Sequence, residues 1–149
     1  MLEPQTKRSA EAYRNIQTIL NYGIKKTGEK SVTLSVSPDD LNSGNLLLQS
    51  TILVATDDKK NLTPIDTIAL RLTAVFKITG ELKESKDQPF FMNYYSSYFK
   101  KLAETDNMIT LAHLISLTAY RDENLKWFKE NGDKLKALNA WIADTKREF

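Results

Sequence analysis

Histidine is the side chain most used to move protons near neutral pH, and this chain has one, His113, inside its most apolar helical segment, DNMITLAHLISLTAY. As chemistry, it would serve as a general base or a metal ligand. A lone histidine in such a segment is more simply a core or interface residue bonded to a neighbour. The carboxylate pairs Asp39-Asp40 and Asp57-Asp58 fall in turn segments, where Asp is selected for hydrogen bonding to the backbone. A divalent cation would need more converging oxygen ligands than either loop offers. Arg121-Asp122-Glu123 reads as a cap and surface charge cluster at a helix junction. The sequence has no HExxH, no GxSxG, no phosphate-cradling glycine loop and no dinucleotide fingerprint, so the usual signatures of hydrolysis and cofactor binding are absent. Without cysteine there are no disulfides, iron–sulfur clusters, thiolate zinc sites or cysteine nucleophiles. We therefore expect a protein that is not an enzyme and holds no metal and no cofactor.

The feature most open to function is aromatic. Phe90, Phe91, Tyr94, Tyr95, Tyr98 and Phe99 lie close together, and spacings of three and four place positions 91, 94, 95, 98 and 102 on one broad helical face. Stripes of this kind usually form core. Here there are more rings than one face requires, and surplus apolar surface marks a site for a protein partner. These six aromatics are the candidate polypeptide-binding residues.

The elements that must position them centre on TIALRLTAVFKITG, residues 67 to 80. Ile68, Leu70, Leu72, Ala74, Phe76 and Ile78 alternate with Ala69, Arg71, Thr73, Val75, Lys77 and Thr79, which predicts a strand with one buried and one wetter face. NLLLQSTILVAT predicts a strand apolar on both faces, as in a sheet centre or at a subunit contact. Leu47, Leu53 and Val75 are the candidate oligomer contacts. DDKKNLTP between the two strands suggests an antiparallel hairpin. SVTLSVSP predicts a further short strand ending at Pro38. Near the N-terminus, Ser9 is a cap candidate, and the pattern suggests a short helix over about 8 to 14 followed by a strand to about 25. Beyond Pro89 the periodicity is helical. One domain over 1–149 follows, with strands within about 15–82 and helices within about 88–147. This order predicts an α+β domain with helices on one face of an antiparallel sheet.

Charge is nearly balanced, with 21 Lys plus Arg against 19 Asp plus Glu and a formal +2, too little to expect nucleic acid as a partner. MLEPQTKRSAEAYR has no apolar signal-peptide core, and no apolar run is long enough to span a bilayer. A cytoplasmic protein without membrane insertion is the expectation.

From about residue 14 to 121 the layout resembles the SecB-like export chaperones. The likeness is carried by IQTILNYGIKK, VTLSVSPDDLNSGN, LLLQSTILVAT followed by TIALRLTAVFKITG, and ITLAHLISLTAYR. LTAVFKITG is similar to the family's fourth strand. The resemblance implies a four-stranded antiparallel sheet with helices packed on one side, assembly as a homo-oligomer (dimer or dimer of dimers), and unfolded polypeptide clients bound along apolar grooves without nucleotide, as in protein transport. A non-enzymatic accessory protein that recognises one specific folded partner is the alternative.

Overall fold

The computed structural model describes residues 6–26, 32–34, 43–57, 59–81 and 90–146. Helices α1 (Lys7–Leu20), α2 (Ser43–Asp57), α3 (Pro64–Glu81), α4 (Phe90–Ala103), α5 (Met108–Ile115), α6 (Arg121–Glu130) and α7 (Gly132–Asp144) account for most of them. The only β-structure among the described residues is an antiparallel ribbon of β1 (Ile24–Lys26) and β2 (Val32–Leu34), in register Ile24 to Leu34.

This overturns the α+β expectation and the four-stranded antiparallel sheet implied by the SecB-like resemblance. The predicted strand at 67–80 lies in α3. Its buried residues are Ile65, Ile68, Ala69 and Leu72, with Val75 and Phe76 packed beside them, and steps of three and four are a helical stripe. The same residues also satisfy a period of two, so the helix start decides between them. Thr63 Oγ1 accepts from the Asp66 backbone N–H at 3.0 Å, and Asp66 Oδ2 accepts from the Thr63 N–H at 3.1 Å. With Pro64 in the first turn, this reciprocal cap nucleates a helix where a hairpin turn is expected. Strand-favouring threonines are accommodated because their hydroxyls donate back one turn: Thr67 to Thr63 O, Thr73 to Ala69 O and Thr79 to Val75 O.

The predicted strand NLLLQSTILVAT is likewise helical, in α2, where Ser50 and Thr51 donate to the Leu46 and Leu47 carbonyls. In α1 the Thr6 side chain accepts from the Ser9 N–H at 3.2 Å. The stripe Ser9, Tyr13, Ile16 and Leu20 then keeps the helix going past the predicted strand start. It stops at Asn21, and Gly23 takes a φ of 71° that side chains disfavour. Among the described residues of the predicted strands, Val32–Leu34 and the end of the strand predicted to about 25 are extended, in β2 and β1, while Asp39-Asp40 lies outside the described residues.

α3 is the central element, packed against α2, α4 and α5. At its end α3 runs so close to α4 that a Cβ on Gly80 would fall 2.5 Å from Lys100 Cβ.

Two stability outcomes follow. Thr63→Ala removes the cap and should cost about 1 kcal/mol in urea unfolding. Gly80→Ala, which adds about 1 kcal/mol of helix propensity, should nevertheless lower the thermal midpoint, because α3 and α4 must separate to admit the methyl group.

Candidate functional site

From Ser43 to Thr56, α2 carries no charged residue, which is unusual for a helix on the outside of a bundle. One side of it, Leu48, Gln49 and Ile52, faces Ile19, Leu20 and Tyr22 at the end of α1 and Val75 of α3 across an apolar groove of about 320 Å3. Ile19 and Tyr22 are 70% and 59% exposed at this groove. Gln49 is buried, and its Oε1 has no partner among the described residues. A polar atom stranded in this way costs about 1–3 kcal/mol. Leu47 and Val54, on the other side of α2, are 42% and 71% exposed.

The aromatic candidates are used differently. Phe90, Phe91 and Tyr94 belong to α4, and their side chains lie outside the described set. Phe99 stacks on Phe76 of α3 at 4.6 Å, and Tyr95 stacks on Phe99 at 6.0 Å. Tyr98 is buried between Phe99 and Trp141 of α7, at 5.5 and 5.0 Å. Tyr98 and Phe99 thus form the seam joining α3, α4 and α7, and Tyr95 stands at its edge. Of the candidate oligomer contacts, Leu47 is exposed, Leu53 is half-buried, and Val75 lines the groove. Ile19, Tyr22 and Val54 were not singled out by sequence. The signal for Val54 was the absence of charge along α2 from Ser43 to Thr56, legible only once the segment is helical.

No family model, curated protein or solved structure matches the chain. What it can do must therefore come from its own side chains.

His113 is buried in α5, and its Nδ1 lies 2.6 Å from Asn124 Oδ1. Asn124 Nδ2 donates to Ser116 Oγ at 3.2 Å, so the amide oxygen faces the ring and His113 Nδ1 carries the proton. The ring stacks on Trp127 at 4.0 Å. Among the described residues no three His, Cys, Asp or Glu side chains converge as a metal site, and no helix is long and apolar enough to cross a membrane. This arrangement locks α5 to α6.

Burial lowers the His113 pKa below its ordinary 6.5, against smaller opposing effects of the Asn124 bond, Glu123 and Asp66. The unfolded chain therefore takes up the proton first. Stability should be full above about pH 6.5 and fall as the pH drops from there towards the folded value. In His113→Gln, urea unfolding monitored across pH 7 to 5 should show a shallower slope than in the parent.

Proposed function

We propose that this chain is a polypeptide-binding module that works through the apolar surface of α2 and the end of α1 and carries out no reaction. The observation that supports it is a helix uncharged from Ser43 to Thr56 whose inner side lines an open groove and whose outer side leaves Leu47 and Val54 in water. Covering apolar surface returns about 25 cal/mol per Å2, so these exposed apolar side chains are a standing incentive for association. The groove between two helices suits an amphipathic helix of the partner, laid in with its apolar side down. The sheet edges implied by the SecB-like likeness play no part in this mode.

A general holdase and a dedicated adaptor differ in breadth. A holdase should keep several unrelated unfolded proteins from aggregating, whereas an adaptor should protect none of them. Both require the same surface. Ile19→Glu and Val54→Glu should each reduce binding of the apolar dye bis-ANS, and shift unfolding by no more than about 0.5 kcal/mol, as exposed substitutions do. Leu125→Glu, exposed on α6, should leave dye binding unchanged. If Val54→Glu instead converts a dimer to a monomer in sedimentation velocity, the polypeptide bound on the outer side is a second copy of this chain. Equal dye binding by all variants, with a monomeric parent that protects no client, would refute the proposal.

A further inference from the structure

Helices α6 and α7 meet at Asn131 and Gly132, the only Asn-Gly pair in the sequence. Such a pair carries its own reaction. The backbone nitrogen of the second residue can attack the side-chain amide carbon of the first and expel ammonia, and glycine permits this because no Cβ obstructs the peptide as it turns. Every other asparagine is followed by a residue with a side chain. In a folded chain the outcome depends on how freely that peptide turns, so the joint between the two helices decides it.

Asn131 ends α6 and begins α7, with φ −126° and ψ 42° that belong to neither helix. Gly132, as the first residue of α7, has an N–H with no acceptor inside that helix. A Cβ built on it would meet nothing within 4 Å, so no neighbour blocks rotation of the peptide joining the two residues. Gly132, Asp133 and Lys134 are all exposed, and the buried anchor of α7 is Leu138, more than a turn further on. The opening turn is closed by the Lys134 and Leu135 N–H groups, which donate to Asn131 O at 3.1 and 3.3 Å. Local opening of a solvated end turn of this kind requires little free energy. One contact opposes the reaction: Asn131 Nδ2 donates to the Trp127 carbonyl at 3.0 Å, beside the Asn131 backbone N–H at 2.9 Å. That side-chain bond must break before the amide can swing towards Gly132.

We propose that Asn131 is a site of spontaneous deamidation, and that the reaction transfers this residue from fastening α6 to capping α7. The Gly132 nitrogen, having lost its proton to hydroxide, bonds to Asn131 Cγ. The Cγ–Nδ2 bond breaks, and ammonia departs with a proton taken from water, leaving a five-membered cyclic imide. Water then opens the ring at either carbonyl, giving aspartate, or isoaspartate with the main chain routed through Cγ. Both products replace the donor to the Trp127 carbonyl with a carboxylate. Negative charge is disfavoured at the C-terminal end of a helix and favoured at the start of one, which sets the direction of the transfer. This site is independent of the apolar groove, and either can fail without the other.

The test is peptide mass spectrometry of the full chain held in warm, mildly alkaline buffer and digested at intervals. The peptide containing Asn131 should become heavier by the difference between a hydroxyl and an amino group, with isoaspartate in excess over aspartate. Its rate should rise with pH, because the attacking nitrogen must lose a proton. Peptides containing Asn61 and Asn139, both exposed, should stay unchanged over the same time. Gly132→Ala, which the open space around this residue admits, should slow the conversion at least about tenfold. In Asn131→Asp the backbone N–H at this position should exchange with deuterium about fivefold faster than in the parent, as one of two bonds at the Trp127 carbonyl is lost. An Asn131 that stays intact in the folded chain while converting in urea would overturn the site, as would conversion of Asn61 or Asn139 at an equal rate. Aspartate without isoaspartate would overturn the cyclic imide, and unchanged exchange would overturn the transfer between helices.

Discussion

Ile65, Ile68, Ala69 and Leu72 of α3 must all be removed from water, and α2, α4 and α5 are the helices that cover α3. Ile65, Ile68 and Leu72 each contribute about 1.5–3 kcal/mol when fully buried, so placing this stripe outweighs any single polar contact in the fold. Its orientation fixes the rest of α3. Phe76 turns to meet Phe99 of α4, Val75 faces the groove beside α2, and Arg71 is held against the end of α1. The apolar groove and a second cavity of about 220 Å3 between α1 and α3, which share Leu20, are thus by-products of one helix being seated correctly.

How much of this is legible in the sequence depends on the segment. The helical periodicity beyond Pro89 is plain, and α4 to α7 lie there. TIALRLTAVFKITG misleads because its apolar residues satisfy both periods, and its threonines and valine favour strands. The deciding residues lie just outside it: Thr63, Pro64 and Asp66 spell a helix start, which hairpin logic reads as a turn. NLLLQSTILVAT misleads for another reason. With apolar residues in every direction it has no periodicity to read, and its length alone argues for a helix. The aromatic cluster was visible as a feature, but which of its rings face inward depends on the partners supplied by Phe76 and Trp141, far away in sequence.

Buried polar groups divide the molecule. Between α5 and α6, His113, Asn124 and Ser116 satisfy one another, and a completed network of this kind favours one packing over its alternatives. Beside α1, Gln49 Oε1 and Arg71 Nε are buried without partners among the described residues, one at each cavity. The Ser96 and Thr110 hydroxyls, on α4 and α5, are also unpartnered among the described residues, but neither lines either cavity. The His113 network is therefore mechanical, whereas an unpartnered buried atom beside a cavity is where a ligand or partner has something to gain.

The two tryptophans stand on different seams. Trp127 lies between the ring of His113 and the Lys134 ammonium, which is 5.6 Å from its centroid, whereas Trp141 packs against Tyr98. An imidazole that gains a proton beside an indole quenches its emission, while the ring of Tyr98 beside Trp141 reports packing alone. The chain thus carries its own pair of optical gauges, one sensitive to acidification at the α5–α6 joint and one to loosening of the α4–α7 contact, with no label attached.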